Sequence, residues 1–260
     1  MKVRGAIFFL LASLTMLCAA ANDAPTGDES FREGVAAFNS GDFSKAAQTF
    51  RASSEQHPSS GALLDLGLAE WRRGRAGPAV QAWEQVLWLD PFNGAARNNL
   101  RYARQFAEMS DPELTWNEAA STWLPTNGWA WIAGGSLWLA VALVWLPGLL
   151  RWRRAGWQQA LAAASLGIFL LSLPAHVGIV TRAKIGFVLE RKVALRLTPT
   201  EESETVATLP AGEPARKVGE RGEYFLIRAA QGLGWVERKQ FGLIAAPARA
   251  VSARKPERSP

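Results

Sequence analysis

Cysteine occurs once in this chain, at Cys18, and histidine twice, at His57 and His176. A single thiol excludes an internal disulfide, and so few nitrogen and sulfur ligands exclude the Cys/His clusters of zinc and iron–sulfur sites. The histidines lie far apart in sequence, so the nucleophile and base of a hydrolase have no support. The sequence therefore predicts no catalytic residues, no metal and no cofactor.

Charge is missing from two long stretches. Residues 123–150 and 155–181 contain no Asp, Glu, Lys or Arg, and each is long enough to cross a hydrocarbon core of about 30 Å as a tilted helix. Transmembrane helices are expected at 128–150 and 155–181. Between them, residues 151–154 read Arg-Trp-Arg-Arg, and a short basic loop is retained in the cytoplasm. Trp116, Trp123, Trp129 and Trp131 at one end of the first span, with Trp145, Trp152 and Trp157 at the other, form interfacial belts. Ser136 and Ala140, with Ala160, Ala163, Ala164 and Gly167, are the small residues expected to line the helix–helix contact. His176 is the one titratable side chain within the spans, and it has no acidic partner there.

Residues 1–21 begin with Lys2 and Arg4, continue through an apolar run and end in Ala19-Ala20-Ala21, the pattern of a secretory signal peptide. Leu17 precedes Cys18 where a lipoprotein signal has a small residue, which disfavours lipidation. Export of the segment after Ala21 and the inner arginine loop lead to the same topology. Both soluble parts are expected on the extracytoplasmic side of the membrane. The formal charge of +6 conceals an acidic amino-terminal part and a basic carboxyl-terminal part. Basic residues beside a membrane favour lipid headgroups over nucleic acid, which is scarce outside the cytoplasm.

Positions 33 residues apart repeat in kind. Gly34, Gly41, Ala46, Phe50 and Pro58 correspond to Gly67, Gly74, Ala79, Trp83 and Pro91. The small residues let paired helices approach, Gly41 and Gly74 make turns, Phe50 and Trp83 fill the space between helices, and the prolines stop the second helix of each pair. Residues 95–109 supply a further amphipathic half repeat. This pattern resembles the tetratricopeptide repeat, expected over 28–109 and followed by a tryptophan-containing linker at 110–127. The resemblance implies a concave groove lined by Phe38, Asn39, Trp71, Arg72, Tyr102 and Gln105, although the aromatic members also suit a plain core. Two and a half repeats are marginal alone, so packing against another part of the protein or a partner is expected.

After Arg182 the period shortens. Apolar runs at 185–189, 193–197, 205–209, 224–227 and 235–236 are separated by Gly and Pro clusters at 199, 210–214, 219–222 and 232–234, as expected of short strands. Their order resembles the bacterial SH3 family, which implies an all-β SH3-like barrel at 184–244 with Tyr224 and Trp235 as binding candidates. Residues 245–260 have too little apolar area to fold and read as a disordered basic tail.

The fold class expected is thus a multidomain membrane protein: an α-helical tetratricopeptide solenoid, a two-helix transmembrane hairpin and a small SH3-like barrel. That order of parts resembles the BatE family of aerotolerance-operon proteins. The resemblance implies a non-catalytic scaffold for protein–protein interaction in an envelope stress or maturation system. Its implied partners are membrane proteins with von Willebrand A domains and a MoxR-type ATPase system. The alternative is a cell-envelope sensor or anchor that binds peptidoglycan.

Overall fold

The computed structural model describes residues 26–149 and 156–245. The expected signal peptide (1–21), the arginine loop (151–154) and the basic tail from residue 246 onward lie outside the described residues.

The described residues begin with five helices: α1 (Thr26–Asn39), α2 (Phe43–Gln56), α3 (Ser60–Arg72), α4 (Ala76–Leu89) and α5 (Gly94–Ala107). Each packs on its sequence neighbours. The side chains of Asp42, Ser59 and Asn93 accept hydrogen bonds from backbone N–H groups in the first turns of α2, α3 and α5, which stops the preceding chain from extending those helices backwards. Positions 33 apart have equivalent packing. A Cβ added at Gly34 would fall 2.6 Å from the Phe50 ring, and one at Gly67 would fall 2.5 Å from the Trp83 Cδ1 atom. Gly41 and Gly74 have φ of 83° and 71°, a backbone that other residues adopt with strain.

A short helix, α6 (Trp116–Ser121), stands within the segment expected to be linker. Two long helices follow, α7 (Thr126–Leu149) and α8 (Gly156–Arg182), packed side by side. Both are long and apolar enough to cross a membrane. Their apolar side chains turn outward rather than into a core: Trp138 is 71% exposed, Trp145 74% and Leu171 79%.

The small residues that meet in this region are not all those expected. Ala140 is buried, but Ala160, Ala163 and Ala164 face outward, and nothing lies within 4 Å of a Cβ placed on Gly167. Ala162, Ser165, Ser172, Ala175 and Gly178 are buried instead. A run of small residues leaves the phase of the buried stripe undefined, and the packing of α6 on α8 helps to fix it. The Nδ1 atom of His176 lies 2.9 Å from the carbonyl oxygen of Ser172, one turn back on its own helix.

Seven strands follow among the described residues: β1 (Ile185–Val188), β2 (Val193–Arg196), β3 (Thr205–Leu209), β4 (Pro214–Arg221), β5 (Tyr224–Ala229), β6 (Gly232–Glu237) and β7 (Phe241–Leu243). They form one antiparallel sheet in the order β3-β2-β6-β5-β4-β1-β7, open between β3 and β7. Alternating residues Val193 and Leu195, Phe225 and Ile227, and Val236 are buried on its inner face. The longest strand, β4, was not expected. Its sequence is mostly polar and sits between turn clusters, yet Ala215 is buried and a bulge between Lys217 and Gly219 accommodates its pairing with β5.

Helices and sheet share one core. Ile185, Phe187 and Ile244 from the sheet join the helical cluster around Trp83, Val80 and Leu100, and burial of such side chains stabilises by about 2 kcal/mol each. Backbone approaches backbone where Gly77 of α4 meets the Val188 and Leu189 carbonyls. Gln81 and Gln85 donate to the Leu243 carbonyl oxygen at 3.2 and 3.1 Å. Met109 closes on Gly212, whose φ is 81°. The sheet thereby covers the face that the short helical array leaves open.

Candidate functional site

The groove begins with a side-chain spacing. Trp71 occupies the last turn of α3, while Tyr102 and Phe106 are four residues apart on α5 and so share one face of that helix. The Tyr102 and Phe106 rings stack at 6.0 Å, and Trp71 meets them edge-on at 6.0 and 5.9 Å. Behind Trp71 lies the Trp83 indole, 6.0 Å away, its Nε1–H donating to the Leu64 carbonyl oxygen at 3.3 Å. Tyr102 and Phe106 are 58% and 71% exposed. Two exposed rings are therefore held in place by packing against the half-buried Trp71.

The opposite wall comes from the sheet. The turn after β1 brings Leu189, Glu190 and Arg191 alongside Arg75, enclosing with the aromatic rings a cavity of about 590 Å³. Arg191 donates to the Gly74 carbonyl oxygen at 3.4 Å, which ties this turn to the glycine between α3 and α4. Glu190 accepts from Gln240 at 3.1 Å. Two guanidiniums and one carboxylate leave the groove with one net positive charge.

Beneath the groove, Glu70 is fully buried. Its carboxylate takes Arg51 at 2.5 Å, Arg73 at 2.9 Å and Arg75 at 3.5 Å. A buried carboxylate needs such partners, and this one joins α2, α3 and the following turn while holding Arg75 at the rim.

Of the sequence candidates, Trp71 and Tyr102 come together here. Phe38 packs edge-on against Phe43 at 5.2 Å, and the Arg72 guanidinium lies 5.8 Å above the same ring. Asn39 is exposed at the end of α1, and none of these three lines the cavity. Gln105 is exposed on α5 but also outside it. Tyr224 and Trp235 lie on the outer face of β5 and β6, half-buried, opposite Glu237 and Leu226. Neither lines this groove. Phe106 went unrecognised, although an aromatic pair at i and i+4 was its signal. Arg75, Glu190 and Arg191 carried no signal, because their proximity depends on the fold.

A second polar feature fixes the groove relative to the long helices. Glu118 of α6 is fully buried and receives two hydrogen bonds from Arg216 of β4, at 2.5 and 3.0 Å. It also accepts from the Thr115 backbone N–H at 2.9 Å, completing a capping box. Burial raises its pKa, but the bonds from Arg216 and Thr115 outweigh that and hold the carboxyl down at about 2. Arg216 donates also to the Thr181 carbonyl oxygen at 3.3 Å. One ion pair thus joins α6, the end of α8 and the sheet. Gly178 of α8 touches the Asn117 carbonyl so closely that no side chain fits there.

No family model matches the chain, and no curated protein is significantly similar to it.

Proposed function

We propose that this protein is a non-catalytic scaffold of the inner membrane that captures an extended segment of a partner protein in the groove between α3, α5 and the turn after β1. The observation that carries this reading is the prearranged triad of half-buried Trp71 with exposed Tyr102 and Phe106, beside Arg75 and Arg191. Exposed aromatic residues and arginine are the side chains that dominate protein–protein hot spots, and the net charge selects a segment with an acidic group near an apolar anchor. On this reading α1 to α5 are a tetratricopeptide-type array and the sheet is a divergent SH3-like module. The outward apolar faces of α7 and α8 meet lipid, and both modules lie in the periplasm. By resemblance to BatE proteins, the partners are membrane proteins with von Willebrand A domains, working with a MoxR-type ATPase system.

A photo-crosslinking amino acid at Gln105, on α5 beside the groove, tests this in intact cells. The expected product is an adduct with a von Willebrand A-domain membrane protein that disappears in Trp71→Ala. An adduct unaffected by Trp71→Ala would reject the groove as the capture site.

The alternative, peptidoglycan binding, draws on Tyr224 and Trp235, which share the outer face of β5 and β6. Retention of the full chain on purified sacculi, lost in Trp235→Ala, would favour it. The full chain is required because β1 shares its core with the helices.

A further inference from the structure

A second cavity, of about 720 Å³, opens where the helical layer meets the mouth of the hairpin. Trp88 of α4, Phe92, Leu114, Trp123 and Arg182 are among the residues that line it. Trp123 precedes α7 by three residues and Arg182 is the last residue of α8, so the cavity sits at one end of the long helices. Phe92 is 64% exposed and Trp123 70%.

The charges lining it are unequal: Arg97, Arg104 and Arg182 against Glu84 and Asp111. Arg104 takes both carboxylates, bonding to Glu84 and, at 2.7 Å, to Asp111. Arg97 donates to the Pro91 carbonyl oxygen at 2.6 Å. The Arg182 guanidinium lies 4.7 Å from the centre of the Trp88 ring. Arg182 is only 7% exposed, and among the described residues no carboxylate forms a salt bridge with it. Glu84 and Glu118 attract it from longer range, but each is already held by another arginine. A buried cation with no carboxylate in direct contact is costly, and this one faces a cavity lined by the exposed rings of Phe92 and Trp123.

We infer that this cavity binds one anionic phospholipid, with its phosphate on Arg182 and Arg97 and its acyl chains running past Trp123 along α7. The inference rests on α7 and α8 crossing a bilayer. Arginine suits the role because its planar donors match phosphate oxygens in pairs, while the indoles of Trp88 and Trp123 suit the boundary between headgroup and chain. A neutral zwitterionic lipid would bring a second cation to a site that already carries one net positive charge.

Native mass spectrometry of the full chain in neutral detergent, titrated with phosphatidylglycerol or phosphatidylcholine of identical acyl chains, tests it. One phosphatidylglycerol should be retained about tenfold more tightly than phosphatidylcholine, and Arg182→Gln should erase that preference. Arg97→Gln, at a more exposed position, should reduce the preference severalfold, and Arg101→Gln, which does not line the cavity, should leave it unchanged. Equal retention of the two lipids by the wild type would overturn the inference. So would a folded Arg182→Gln with the full preference, or displacement of the lipid by equimolar glycerol 3-phosphate. If Arg182→Gln does not fold, Arg97→Gln decides: a severalfold reduced preference supports the site and an unchanged preference rejects it. Carbonate extraction of native membranes separately tests whether the hairpin spans the bilayer, so failure of that premise is distinguishable from failure of the lipid site.

Discussion

Replacing Glu118 by glutamine should release α6 from the sheet in a pH-dependent way. The carboxyl lies at about 2 against an ordinary 4.5. At about 1.4 kcal/mol per pH unit, a depression of that size corresponds to about 3 kcal/mol of folded-state stability. Arg216 keeps about a third of its side chain exposed (32%), so solvent screening reduces the expected loss toward about 2 kcal/mol. Because the folded pKa is the lower one, the contribution is fully present above pH 4.5 and is lost as the pH falls through 2. Thermal unfolding of the detergent-solubilised chain, followed by near-ultraviolet circular dichroism, reads this directly. The wild type should exceed Glu118→Gln by about 2–3 kcal/mol at pH 7, and the difference should shrink between pH 4.5 and pH 2.5. A difference that is absent at pH 7, or that grows on acidification, would refute the assignment of this ion pair as the junction's clasp.

Three other outcomes are expected. Glu70→Ala leaves Arg51, Arg73 and Arg75 without their shared carboxylate and should cost about 2–4 kcal/mol by denaturant titration, with a loss under about 0.5 kcal/mol counting against it. Gly178→Ala forces a methyl group onto the Asn117 carbonyl; a cost of about 1–3 kcal/mol should accompany faster protease cleavage between residues 110 and 125, and unchanged cleavage would contradict that close approach. Tyr102→Ala, at a 58% exposed position, should leave the melting temperature within about 2 °C while abolishing partner adducts from a crosslinker at Gln105. A large drop in melting temperature would instead make the ring part of the core.

What the sequence made legible was local and periodic. The 33-residue recurrence located Gly34 against Phe50 and Gly67 against Trp83, because a glycine beneath an aromatic ring is a contact between neighbouring helices. Charge-free runs located α7 and α8, and alternation at 193–197 and 224–227 located β2 and β5. What escaped was non-local or concealed by polar composition. Glu118 and Arg216 lie 98 residues apart and look like ordinary surface charges until the fold joins them. Gly77 carried no signal in the sequence, yet it is where the Val188 and Leu189 carbonyls press against α4. The β4 strand escaped because Arg216 and Lys217 carry ion pairs rather than apolar contacts. The groove was half legible. Trp71 and Tyr102 followed from repeat positions, but its other wall belongs to residues 189–191, on the far side of the long helices in sequence.

Side-specific labelling tests most directly whether helices and sheet form one body on one face of a membrane. Single cysteines would be placed at Tyr102, Leu233 and Arg153 in a Cys18→Ser background and exposed to an impermeant maleimide on sealed spheroplasts. Tyr102→Cys and Leu233→Cys should label together without permeabilisation, and Arg153→Cys only after it. Labelling of Tyr102→Cys and Leu233→Cys from opposite sides, or of Arg153→Cys alongside them, would contradict the hairpin and the shared groove at once.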